Sequence, residues 1–230
     1  MELKNNISVY IEVAGSALST LSIELLGKAR QLADKKGEQV VAYIVGADTS
    51  KAAEEAISYG ADAVVAVEDP VLEGYDSALY TKAIAALVEK YAPSVILIGG
   101  SPNGRDLGGR LSAKLKVGLV ADCIDVLHEG DDDTLTWIRP AFTGKLLVKI
   151  QTTTRPQLGT VSDKIFHGVP ANPSRKGDVI KEKVDFSGDV PTIKVTNFEA
   201  VENVAESLSI ESADIVVGAG RGVQNEEGMK

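Results

Sequence analysis

The chain has 230 residues, 44% of them hydrophobic and 25% charged, the proportions of a folded globular protein large enough for one substantial core. Its formal net charge of −9 at pH 7 excludes the basic face that grips a phosphate backbone, so no nucleic-acid partner is expected. No apolar run approaches the ~18 residues of a membrane span, "MELKNNISVY" carries neither a signal core nor a transit pattern, and the single cysteine, Cys123, fits a reducing compartment. No membrane association and a cytoplasmic, bacterial location are expected.

Residues 7–15, "ISVYIEVAG", read as a β-branched-rich strand. Leu18, Leu21, Leu25, Ala29, Leu32 and Ala33 then recur at helical spacing, with Gly37 as the stop. "VVAYIVG" (40–46) is a second apolar strand, and "DTSKAAEEAISYG" (48–60) a capped helix closed by Gly60. "ADAVVAVED" (61–69) is a third strand. Asp76 is placed to cap the helix "SALYTKAIAALVEKYA" (77–92), and "PSVILIGG" (93–100) is a fourth strand. "RDLGGRLSAKLK" (105–116) continues as a helix and "VGLVADCIDVL" (117–127) as further strand. Continuous apolar strands alternating with helices predict an α/β fold, a three-layer doubly wound and mostly parallel sheet covered on both faces.

After Leu127 the rhythm changes. "DDDTLTWIRPAF", "GKLLVKIQTTT" and "RPQLGTVS" are strand-like pieces with no helix between them, and they predict a small antiparallel sheet hung on the parallel one. The parallel core is then complete by about Val126. Residues 167–178, with two prolines and two glycines, read as a loop, and "VPTIKVTNF" (190–198) as one more strand. "ADIVV" (213–217) reads as a short buried strand. It runs into the glycine-rich turn "GAGRGV" followed by acidic residues, the pattern that opens a nucleotide-binding βα unit. A domain boundary falls near residue 205. No internal repeat is visible.

The loop "GGSPNGRDLGGRL" (99–111) follows a strand and precedes a helix, at the carboxyl end of the sheet where such folds bind ligands. Gly99 and Gly104 have P-loop spacing, but Arg105 and Asp106 stand where a P-loop needs Lys and Ser or Thr. The loop either touches a ligand or is a tight turn in which Asp106 caps a helix. Asp131, Asp132 and Asp133 read as a solvated turn rather than a cation site. His128 and His167 lack partners at metal-ligand spacing. Cys123 reads as a small core residue. No nucleophile elbow occurs, so no catalytic residue and no metal are assigned.

The segments "GRDLGGRLSAKLKVGLVADCIDV", "RPAFTGKLLVKI", "RPQLGTVSDKIF" and "IVVGAGRGV" occur in that order. Together they resemble the α subunit of electron transfer flavoproteins, over essentially the whole chain. The resemblance implies a first domain over residues 1–205 that scaffolds an α/β heterodimer and carries no flavin of its own. It implies that residues 206–230 are a linker with the first strand and turn of an FAD-binding domain, cut short at its start. Arg221, flanked by Gly220 and Gly222, is then the cofactor-binding position. The implied function is an electron carrier rather than an enzyme. It shuttles electrons through FAD from a flavin-dependent dehydrogenase, such as an acyl-CoA dehydrogenase, to an acceptor, with the β subunit as partner. FAD is not expected to stay on residues 1–230 alone. The loop at residues 99–106 matches in place a nucleotide-binding loop of the β subunit but departs from its pattern, and is expected to be vestigial or to meet the partner. The competing expectation is a stand-alone nucleotide-binding module of the universal-stress-protein type, although the antiparallel extension is foreign to such modules.

Overall fold

The computed structural model describes residues 3–14, 17–130, 132–193, 195–197, 199, 215–224 and 226–229. Backbone contacts divide the chain into two units, Met1–Lys194 and Val195–Lys230.

The first unit opens with β1 (Ile7–Tyr10), a two-strand hairpin of β2 (Val13–Ala14) and β3 (Ala17–Leu18), and α1 (Thr20–Lys36). The single long strand expected over residues 7–15 is thus divided. Helix α1 begins where the Ser19 side chain accepts the Ser22 N–H, and it ends at Gly37 in the left-handed region, φ 67°, which glycine enters without a Cβ clash. Then follow β4 (Val40–Gly46), α2 (Ser50–Ser58), β5 (Ala63–Glu68), α3 (Ser77–Tyr91), β6 (Val95–Gly99) and α4 (Pro102–Leu115), all near the positions the periodicity predicts. Asp76 caps α3 as expected, accepting the Ala78 and Leu79 N–H groups at 2.9 and 3.1 Å.

The main sheet has seven strands, all parallel, and its order carries the first correction. Beyond β7 (Leu119–Cys123), β8 (Asp125–Leu127), β9 (Thr136–Ala141) and β10 (Leu146–Ile150) come β11 (Gln157–Val161) and β12 (Asp178–Glu182). The order is β12-β5-β4-β1-β6-β11-β7. Strand β11, expected in the antiparallel appendage, instead lies between β6 and β7 and is buried along its whole length. Strand β12, which no apolar run in the sequence predicts, adds in parallel to the free edge of β5. The parallel core therefore closes only at residue 182. The antiparallel sheet is the three-stranded β10-β9-β8. The strand expected over residues 190–198 is also corrected: its described residues form none, and Val190, Ile193 and Val195 are exposed.

Two cores result. Val40, Ala42 and Ile44 of β4 face α1, α2 and the antiparallel sheet, while Val41, Tyr43 and Val45 face α3 and α4. Alternate strand residues point to opposite faces, so continuous apolar strands are what two covered faces require. The loop over residues 167–177 is tied back by Arg175, which with Arg30 flanks the Asp62 carboxylate.

In the second unit, residues 215–217 are irregular rather than strand, and Ile215 and Val217 are 84% and 85% exposed. This corrects the reading of a buried strand; its first two residues, 213 and 214, lie outside the described part, as do residues 200–212. Two short turns follow, Arg221–Val223 and Glu226–Met229.

Candidate functional site

Helix α1 follows β1 onto one face of the sheet and α4 follows β6 onto the other. The carboxyl ends of β1 and β6 are therefore the switch point where folds of this type bind ligands. The first residues beyond β1 are Ile11 and Glu12, and the N-cap of α4 is Ser101. The Ser101 hydroxyl accepts the Gly104 N–H at 2.9 Å and donates to Glu12 Oε1 at 2.7 Å. The Glu12 backbone is fixed by Ser22, whose Oγ accepts the Glu12 N–H at 2.9 Å. A carboxylate of the protein thus lies where a nucleotide fold presents a helix N-terminus to phosphate. Burial raises the Glu12 pKa, against the lowering effect of the Ser101 hydrogen bond.

The loop at residues 99–104 closes on itself. A Cβ at Gly104 would overlap the Gly99 carbonyl and meet Ile98 Cγ2 at 3.1 Å, so this glycine serves a backbone approach within the chain. The expected capping role of Asp106 is corrected. Ser101 caps α4 five residues earlier, while Asp106 sits inside the helix, 3.5 Å from Arg110 and accepting the Tyr75 hydroxyl at 2.9 Å.

Beside the switch point, over β1 and β4, a cleft of about 410 Å³ opens to solvent. Tyr10, Glu12, Asp48, Glu73, Tyr75 and Tyr80 are among its walls, and no Lys, Arg or His lines it. Tyr75 and Tyr80 meet edge to face, 5.0 Å between ring centres. Of the sequence motifs, the loop at residues 99–111 reaches this cleft, through Asn103 in its wall and Ser101 on Glu12. A second local sign is the acidic Glu12 just beyond an apolar strand.

The other expected residues fall elsewhere. Cys123 is buried, and burial pushes its thiol up to about 12. The His128 ring nitrogen is 2.8 Å from the Asp132 carbonyl. Among the described residues no His, Cys, Asp or Glu cluster could hold a metal ion. Gly220, Arg221 and Gly222 lie together in the second unit, all exposed, and a Cβ at either glycine would meet nothing within 4 Å. Their backbone is open to approach and Arg221 adds one cation, so these residues fit one edge of an anionic or flavin ligand without enclosing it.

A seven-stranded parallel sheet with helices on both faces and an antiparallel extension defines a Rossmann-like α/β protein. A model of the electron transfer flavoprotein domain matches residues 7–187. Over its full length the chain is 38% identical to the electron transfer flavoprotein subunit alpha of Megasphaera elsdenii, covering 68% of that protein. Over 97% of its length it is 37% identical to the subunit of the same name from Thermoanaerobacterium thermosaccharolyticum, covering 67%. It is 32% identical over 99% of its length to the lactate dehydrogenase (NAD(+),ferredoxin) subunit LctC of Acetobacterium woodii, covering 54%. The chain belongs to the electron transfer flavoprotein family. It spans about two thirds of the length of the first two relatives and about half of the third. None of its described helices is long and apolar enough to cross a membrane.

Proposed function

We propose that this chain acts as the α subunit of an electron transfer flavoprotein in the bacterial cytoplasm. It pairs with a β subunit and carries electrons, through FAD, between a flavin-dependent dehydrogenase and an acceptor. The observation that carries the reading is the family match over residues 7–187, together with full-length identity to subunits named alpha. That a relative is itself a lactate dehydrogenase subunit supports a dehydrogenase as the electron source.

Residues 1–205 act as the scaffold of the heterodimer in this reading. The β9–β10 hairpin is the best-suited contact, because Phe142, Leu146 and Leu147 are 75%, 55% and 64% exposed, and grouped exposed apolar side chains mark protein interfaces. Residues 206–230 belong to the FAD-binding part. Gly220 and Gly222 leave backbone N–H groups unhindered, and Arg221 brings positive charge to the ligand. FAD, when bound, supplies one- and two-electron transfer. The protein's own part is to bind and orient the ligand and to stabilise negative charge developing on it.

Co-expression with a β subunit of the same family tests the reading. A one-to-one complex that holds FAD and is reduced by a flavin-dependent dehydrogenase is expected. A chain that forms no complex and instead binds ATP alone would overturn it in favour of the stand-alone module.

A further inference from the structure

Tyr10 ends β1 with 3% of its surface exposed and lines the cleft over β1 and β4. Its hydroxyl has no hydrogen-bond partner among the described residues. The neighbouring phenols are both satisfied: Tyr80 donates to the Leu72 carbonyl at 3.0 Å, and Tyr75 donates to Asp106 at 2.9 Å. The side chain is otherwise buried, so its hydroxyl is left free at the cleft surface to donate to or accept from a ligand. Glu12 stands beside it, half-buried and without an ion pair among the described residues. Only its Oε1 is engaged, by Ser101. Its Oε2, 3.6 Å from where a Cβ of Gly99 would stand, carries no hydrogen bond among the described residues. Asp48 and Glu73 add further negative charge to walls that contain no basic side chain.

These features select against phosphate, which would meet three carboxylates and no cation. They select for a cation that donates several hydrogen bonds and has a flat or compact head to lie against aromatic faces. We propose that this cleft binds a guanidinium or primary ammonium group on a short aliphatic chain. The Glu12 carboxylate and the Tyr10 hydroxyl accept its hydrogen bonds, and the Tyr75–Tyr80 pair forms the wall beside it. The volume of about 410 Å³ admits the head group with a chain of several carbons. The head group comes either from a free amine or from an arginine or lysine side chain of a partner protein. The site is distinct from the glycine turn at Arg221, and it stands whether or not the chain carries flavin.

The test is calorimetric titration of the 230-residue chain with agmatine, with Nα-acetylarginine methylamide, and with AMP as the anionic comparison. Saturable one-to-one binding of agmatine assigns a free amine. Binding of the arginine amide without agmatine assigns a side chain of a partner. In either case Glu12→Gln, which keeps the acceptor for Ser101 but removes the charge, weakens binding by about tenfold or more. Tyr10→Phe weakens it several-fold without altering the circular dichroism spectrum. Asp34→Asn, at an exposed carboxylate paired with Arg30, leaves it unchanged. The proposal is overturned if neither cation binds at millimolar concentration, if AMP binds as tightly as the cations, or if binding survives both Glu12→Gln and Tyr10→Phe. Tyr10→Phe reads the site independently should the Glu12 variant not fold.

Discussion

The indole of Trp137 lies directly on Gly159. A Cβ on that glycine would stand 2.6 Å from Cε3 and 2.7 Å from Cη2 of the ring, closer still to Cζ3. Trp137 is fully buried on β9 of the antiparallel sheet, and Gly159 is the middle residue of β11 in the parallel sheet. The missing side chain of one strand is what lets the other sheet pack on it.

Gly159→Ala is therefore expected to destabilise the fold by about 1–3 kcal/mol, the range for forcing extra volume into a packed core. β11 is held between β6 and β7, so its backbone cannot easily retreat. The midpoint of urea unfolding should fall at nearly constant slope. A variant as stable as the parent would show that the indole has room to move.

Asp76 joins the start of α3 to the end of the first unit. Burial pushes its carboxyl up, but donors from Thr192, Leu79 and Ala78 outweigh burial and hold it below the usual aspartate value. Because the folded pKa is depressed, this contribution is present above the unfolded pKa and is lost as pH falls through the folded one. Asp76→Ala should cost about 1–2 kcal/mol at neutral pH from the cap alone. The gap in melting temperature between parent and variant should narrow below about pH 4. A gap that stays constant down to pH 2 contradicts the assignment.

The exposed hairpin makes a prediction about assembly. Leu147→Ser should leave the stability of the isolated chain within about 0.5 kcal/mol, since the side chain faces solvent. In the complex with the β subunit it should weaken association by tenfold or more if it sits in the buried part of the interface. Unchanged affinity in sedimentation would place the β subunit on another face.

Arg221 makes the prediction about colour. Arg221 and the glycines on either side of it are exposed. A solvated guanidinium adds little binding energy, far short of the roughly 8 kcal/mol behind micromolar affinity. The 230-residue chain should purify without stoichiometric FAD, read from its absorbance near 450 nm. In an assembled protein that holds its flavin, Arg221→Ala should lower the reduction potential, because a fixed positive charge favours anionic reduced states. A yellow 230-residue chain with one FAD each would overturn the first expectation, and an unshifted potential the second.

The parallel α/β half is legible in the residues alone. Strands such as "VVAYIVG" are apolar at every position, which only a sheet covered on both faces tolerates. The ends of α1 and α3 follow from local chemistry at Gly37 and Asp76. The family motifs were equally legible, being ordered strings of residues. The placement of the late strands depends on long-range packing. "QLGTV" carries no local mark of its neighbours; it lies between β6 and β7 because the gap is there and because Gly159 accepts the indole of Trp137, 22 positions earlier in the chain. β12, with the exposed Asp178 and Val179, lacks the apolar run that announces a strand and pairs only because β5 offers a free edge. The cleft was hidden for the same reason. Tyr10 and Glu12 lie in one stretch and Tyr75 and Tyr80 in another more than sixty residues on, and only the closing of the sheet brings the two tyrosines to the wall beside the unpartnered phenol and the unpaired carboxylate.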